Sequence, residues 1–278
     1  MKPMNPLKKI LKTYLPFTKA GIQGATTYRV NFIAWFIGDI MICFVMYYVW
    51  RAVFLSSGSD TFNGFTMTDM AVFLFVSNLT GYLTGSDGSF SVGEEIRDGN
   101  IAMRLIKPVD FDMTFLFSEL GQKSLTFTLI FAPMLLGVEI YKYFAFGQVM
   151  FDVGTFALYM LSTAMSYLFS FYMNVCFGFM AFFLKNLWGF NILKDSMLRF
   201  VSGSLIPLAF MPGTLRTVLE WLPFASLSYT PVMIYMGKYA GTQVLMRLGL
   251  QFVWVVSFYL FSKLIFSIAM RHVTVQGG

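Results

Sequence analysis

Residues 153–184 read VGTFALYMLSTAMSYLFSFYMNVCFGFMAFFL, 32 consecutive positions without a charged side chain. As one α-helix this is roughly 48 Å, longer than the ~30 Å hydrocarbon core of a bilayer. Two spans would need a turn, and the stretch offers only Asn174 and Gly178 as breakers. One long helix, tilted or protruding, is expected over 152–184. A run this long and this apolar marks a membrane protein.

The whole chain agrees. Of 278 residues, 57% are hydrophobic and only 12% charged, with a mean hydropathy of +0.66. By length alone it would make roughly two soluble domains of about 150 residues, but so little charge cannot coat two globular surfaces. The expectation is one transmembrane domain over 1–278, with further spans at 30–50, 67–85, 114–140, 196–212 and 242–269. The span at 30–50 lies between Arg29 and Arg51 and has Asp39 at its middle. That at 67–85 ends in GYLTG, which either packs closely against a neighbour or loosens the helix end. Pro207 and Pro212 break the fifth run. The stretch 213–237, with Glu220, Pro223 and Pro231, is too interrupted to span and reads as re-entrant or interfacial short helices. In the last span, Arg247 and Lys263 are expected to snorkel towards opposite surfaces.

Basic residues set the orientation. Six spans put both ends on one side, and that side gathers 15 of the 20 Lys and Arg. By the positive-inside rule both termini are cytoplasmic. Residues 1–29 place Leu7, Ile10, Leu11, Tyr14 and Phe17 at helical spacing among lysines, as in a basic amphipathic helix lying on an anionic membrane. A signal peptide is not expected, because Pro6 and Pro16 interrupt the start and no apolar core follows. The net charge of +6 sits between apolar runs rather than on a soluble face, which argues against nucleic acid.

Catalytic chemistry finds little footing. Cys43 and Cys176 lie in apolar runs without paired spacing, and His272 is the one histidine, so no disulfide framework, metal centre or Ser-His-Asp triad is expected. GxxxxGK[ST] is absent, so ATP, if used, is hydrolysed by another subunit. Three intramembrane groups stand out. Asp39 is either a structural hydrogen-bonding group or part of a pathway, and Glu119 with Lys123 stand four apart in favourable order. They leave an ion-coupled secondary transporter as the alternative, although no inverted repeat shows in the span pattern.

The most polar internal stretch is 86–112. Ser91 with Glu94 spells a capping box, Glu94 and Glu95 suit a first turn, and Gly99 a helix stop. Pro108 closes a second short segment. The pair is either an ordinary loop or a device for docking a soluble partner.

Two passages resemble a known family. EEIRDGNIAMRLIKPVD (94–110) is similar to the cytoplasmic segment of type-two ABC export permeases. FVSGSLIPLAFMPGTLRTVLEWLPFASLSYTPVMIYMGK (200–238) is similar to that family's proline-rich region before the last span. The resemblance implies an all-α permease of six transmembrane helices in a bacterial cell membrane. It further implies an interfacial N-terminal helix, a cytoplasmic coupling segment over 86–112 whose coupling helix is Ser91–Gly99, and re-entrant extracellular helices over 213–237. Ser91, Glu94, Glu95, Ile96, Arg97, Asp98 and Gly99 would dock the ATPase. The implied partners are two copies of a cytoplasmic ABC ATPase, which hold the ATP and Mg, and a second permease, identical or related, in contact with membrane lipid. The cargo would be amphipathic: a lipid, peptide antibiotic or drug.

Overall fold

The computed structural model describes residues 6–27, 29–147, 151–184 and 187–270. Lys2, Lys185, Arg271 and His272 lie outside the described residues. Apart from a two-residue hairpin, Thr61–Phe62 with Phe65–Thr66, the regular structure is helical. Helices α1 (Pro6–Thr27) and α2 (Arg29–Ser57) precede the hairpin. After it come α3 (Met67–Thr84), α4 (Gly88–Arg97), α5 (Ile101–Leu105), α6 (Phe111–Thr126) and α7 (Ala132–Phe146). The remainder is α8 (Val153–Gly178), α9 (Trp188–Val201), α10 (Gly213–Trp221), α11 (Tyr229–Tyr235) and α12 (Thr242–Ala269).

Four stretches among the described residues are long and apolar enough to cross a membrane: Phe36–Ser57, Phe111–Phe146, Val153–Phe182 and Thr242–Ala269. The second joins α6 to α7 through a π-helical turn at Phe127–Phe131, so the expected span at 114–140 is part of one longer helix. The third is α8 extended by a 3-10 turn at Phe179–Phe182. Helix α3 covers the expected 67–85 but differs in kind. Eleven of its 18 residues are buried, and its Ser77 and Thr80 hydroxyls meet protein partners instead of lipid. Its start is fixed by a capping box that sequence reading missed, with Thr66 accepting from the Asp69 N–H and Asp69 accepting from the Thr66 N–H.

No helix spans 196–212. Helix α9 stops at Val201, the chain turns through Gly203 in the left-handed region at φ +74°, and a 3-10 turn follows at Leu208–Phe210. A Cβ at Gly203 would press on Leu208, so the turn is closed by packing as well as by backbone geometry. Pro207 caps that 3-10 turn and Pro212 opens α10. Residues 213–237 do form short helices: α10, a 3-10 turn led by Pro223, and α11, with Pro231 in its first turn.

Polar side chains hold this irregular backbone. Gln251 on α12 donates to Ser166 Oγ on α8 and to the Ser226 carbonyl, 3.1 Å each, and accepts from Ser162. Ser77 and Ser228 share a 2.8 Å bond, and Thr80 meets Tyr159 at 3.0 Å. Unpaired, such groups would cost several kcal/mol in hydrocarbon. Glu220 on α10 gathers both Arg216 (2.8 Å) and Arg247, so Arg247 is tied to protein rather than snorkelling. Lys263 likewise reaches Asp110 and Asp112 at the start of α6, at 3.1 and 2.9 Å.

Helix α1 does more than lie on a surface. Tyr14 OH accepts from the Asp110 N–H at 2.9 Å, and its ring stacks on Phe117. Gly21 and Gly121 let α1 and α6 touch backbone to backbone, because a Cβ at Gly21 would run into the Ser118 carbonyl and one at Gly121 into that of Thr18. Ile10, Leu11 and Leu15 remain exposed, as a membrane-facing stripe would be. The GYLTG motif does not pack this way: a Cβ at Gly81 would meet nothing within 4 Å, and Gly85 caps α3.

The glycine crossing is testable by one methyl group at a time. Gly21→Ala and Gly121→Ala should each lower thermal stability in detergent, by the about 1–3 kcal/mol typical of overpacking. They should also speed tryptic cleavage at Lys12 and Lys19, which are exposed but held in helix α1. Gly24→Ala, with open space around it, should be neutral. Equal behaviour of all three variants would refute the crossing.

Candidate functional site

Two neighbouring regions concentrate the polar residues singled out in the sequence. The first is α4. Its helix begins three residues before the expected Ser91 cap: Asp87 is the N-cap position without a side-chain bond, and Ser91 lies inside the helix. Glu94 therefore closes no capping box. The start is instead fixed by packing, with Gly88, Ser89, Val92 and Gly93 buried against the C-terminal end of α8 and the turn after it. Gly178 makes this contact possible, since a Cβ there would stand 2.7 Å from Val92 Cβ. Ser89 donates to Asn191 on α9 at 2.7 Å. The stop is as the sequence suggests, with Gly99 at φ +73° directly after the last turn.

The charges of 94–99 divide into two sets. Glu95 turns inward to Arg104, which also donates to Thr114 at 2.8 Å and covers the Phe115 ring. That pair staples α4 to α5 and α6. Ile96 packs on the same inner cluster. Glu94 and Arg97 are exposed, beside exposed Phe90, and Arg97 pairs with exposed Asp98 at 3.2 Å. The outward face of α4 is thus Phe90, Glu94 and Arg97.

The second region is a cavity of about 490 Å³ between α2, α3, α6, α8 and α9. Asp39 is half-buried on its wall and accepts from Tyr82 OH at 2.8 Å. Lys123 reaches the Tyr82 carbonyl at 2.7 Å. Glu119 accepts from Ser86 at 3.0 Å and from Tyr167 at 3.2 Å. Glu119 and Lys123 thus satisfy different partners and do not form the ion pair that their spacing suggested. Asn174 on α8 receives Lys194 of α9, which also meets Asp195 at 3.3 Å. Met46 and Met173 are present, and most of the lining residues carry hydroxyls, amides or charges. Nothing in the linear sequence announced this cavity, because its residues come from five separate helices.

On the far side of the fold, Glu220 with its two arginines, Lys238 with Asp69 (3.0 Å) and Tyr235 of α11 with Glu139 of α7 lock the short helices to the bundle. Pro207, Pro212, Pro223 and Pro231 shape this cap and lie apart from the cavity wall. Among the described residues no three His, Cys, Asp or Glu side chains gather as a metal site.

With that geometry in place, the comparisons add one finding. The family model described as ABC-2 family transporter protein matches residues 31–277. No curated protein matches the chain.

The seat of α4 can be probed directly. Gly178→Ala pushes on Val92, close to the α4 backbone, so amide hydrogens of Gly88–Arg97 should exchange faster by about tenfold or more, as a loss near 1.4 kcal/mol would give. Exchange in α12 should stay unchanged. Unaltered protection of α4 would show that the glycine contact does not hold it.

Proposed function

The chain belongs to the ABC-2 transporter family, whose members are permease subunits of ABC transporters, and we propose that it exports an amphipathic substrate using ATP hydrolysed on a separate subunit. Two copies of that cytoplasmic ATPase hold the ATP and Mg. They act on a pair of permeases, this chain with a second that is identical or related, in the cell membrane. The observation that carries this reading is α4: a short charged helix with an apolar underside seated on α8 and α9 and an outward face of Phe90, Glu94 and Arg97. A helix of ten residues is marginal in water, so its charged upper side is held in place from below and free to engage a partner from above. ATP binding would bring the ATPase domains together, press on α4, and move α2, α3 and α9. The ion-coupled alternative draws no support from Glu119 and Lys123, which are both engaged by neighbours within the bundle.

The inward and outward charges of α4 make different predictions. Reversing the exposed pair, Glu94→Arg with Arg97→Glu, should abolish co-purification of the ATPase while the protein inserts and stays monodisperse. Glu95→Gln, which breaks the pair with Arg104, should instead lower thermal stability. Unchanged complex formation in the double reversal would sink the docking role. Topology follows from the basic residues. A cysteine at Ser59 should react with an impermeant thiol reagent added outside the cell, and one at Asn100 should not. Outside labelling at Asn100 would invert the orientation.

A further inference from the structure

Resting on the permease assignment for its place in transport, we propose that the cavity between α2, α3, α6, α8 and α9 binds a zwitterionic group, an ammonium joined to a phosphate or carboxylate, as the polar end of the transported amphipath.

The cavity is polar where the chain as a whole is not. In a protein only 12% charged, its lining holds Asp39, Asp87, Asp195, Lys123 and Arg199. Their partners separate them. Asp195 is matched by Lys194. Asp39 has the Tyr82 hydroxyl and, among the described residues, no ion pair. Asp87 caps no backbone N–H with its side chain and joins no ion pair among them. Arg199 lines the cavity, is exposed, and has neither an ion pair nor a hydrogen bond from its guanidinium among the same residues. Lys123 is met by the Tyr82 carbonyl and lies over the Tyr167 ring. Two carboxylates, Asp39 and Asp87, and two cations, Lys123 and Arg199, thus line one space and form no ion pair with each other among the described residues.

Asp87 and Arg199 are exposed to the space they line and Asp39 is half-buried, so water answers these charges until a ligand of matching charge displaces it. A purely anionic group entering here meets Asp39 and Asp87, and a purely cationic one meets Arg199 and Lys123. A group carrying both charges satisfies both sets. Asn78 points the same way: its Oδ1 is buried without a hydrogen bond among the described residues, and Asn78 lines the cavity. The volume of about 490 Å³ lies in the range of small-ligand sites, roughly 300–1,000 Å³.

The apolar end has a way out. Ile42 and Leu205 line the cavity and are also exposed on the outside of the chain. Helix α2 is itself scarcely buried along its apolar length. A tail attached to the bound head would leave between these two residues, along α2.

Native mass spectrometry of the full-length chain in detergent tests this with three lipids of one acyl composition: phosphatidylethanolamine, phosphatidylglycerol and a trimethylammonium lipid. The zwitterionic lipid should bind at least about tenfold more tightly than either singly charged one, the scale of one charge-assisted contact. Asp39→Asn should shift the preference to phosphatidylglycerol, and Arg199→Gln to the trimethylammonium lipid. A misfolded variant would lose all three, so a reversal of ranking reads charge recognition alone. Glycerophosphoethanolamine, the soluble phosphodiester head group, separates the two sources of this chemistry: displacement of the lipid at equal concentration assigns the site to a soluble zwitterion, and failure to displace assigns it to a lipid. No head-group preference in the native chain, or a ranking untouched by both variants, would overturn the proposal. ATPase co-purification is scored in parallel. A flat ranking with the ATPase bound sinks this inference alone, whereas loss of the ATPase from the native chain sinks the permease reading.

Discussion

Within a hydrocarbon layer, a charge or a backbone amide has to find its partner inside the protein, and most of this structure is the consequence. Glu220 takes two arginines from different elements. Lys263 ties the last long helix to the start of α6. Lys142 and Tyr235 converge on Glu139. Each cluster joins segments distant in sequence, so satisfying a polar group also fixes a crossing. Such pairs add little net stability over an apolar core, but breaking one leaves its partner stranded. They specify the arrangement more than they strengthen it.

The same constraint explains why the region before α12 can be irregular. Short helices and 3-10 turns leave carbonyls without helical partners, which lipid would not tolerate. Here Gln251 and Ser166 supply the Ser226 carbonyl, and Trp254 donates to the Trp221 carbonyl at 3.2 Å. Residues 223–235 lie against α3, α8 and α12 and are mostly buried there, while α10 keeps Leu215, Val218 and Trp221 exposed. Helix α3 can therefore carry Ser77, Asn78 and Thr80 at its centre.

What was legible in the sequence was whatever depends on length and apolarity. The long helices over 36–57, 111–146, 153–182 and 242–269 follow from runs that tolerate no other environment. The short helices of 213–237 follow from prolines at positions where a continuous ladder would fail. What could not be read depends on partners far along the chain. The run at 196–212 is as apolar as a span, yet packing of Leu208 on Gly203 ends the helix early. Ser91 and Glu94 have the spacing of a cap, but the groove at Gly178 sets the helix start. Glu119 and Lys123 have the spacing of an ion pair, but Ser86, Tyr167 and the Tyr82 carbonyl are nearer in space. GYLTG left close packing and a loosened helix end both open, and a Cβ at Gly81 meets nothing within 4 Å, whereas Gly21 and Gly121, on two helices far apart in sequence, make the close contact.

Helix α4 and the cavity share their supports, which links the two parts of the site. Ser89 of α4 is bonded to Asn191, one turn from Lys194 on α9, and Lys194 is bonded to Asn174 on α8. Asn174, Asp195 and Arg199 line the cavity, and the α8 segment that carries Asn174 ends at Gly178 against Val92 of α4. Ser86 and Asp87, just ahead of α4, line it as well. Packed interfaces of this kind shift as units rather than deform continuously. A push on the outer face of α4 would therefore be carried by α8 and α9 into the walls that hold Asp39 and Arg199 apart. Separating the two charges weakens any ligand that bridges them, so a force applied at Glu94 and Arg97 has a direct physical route to release.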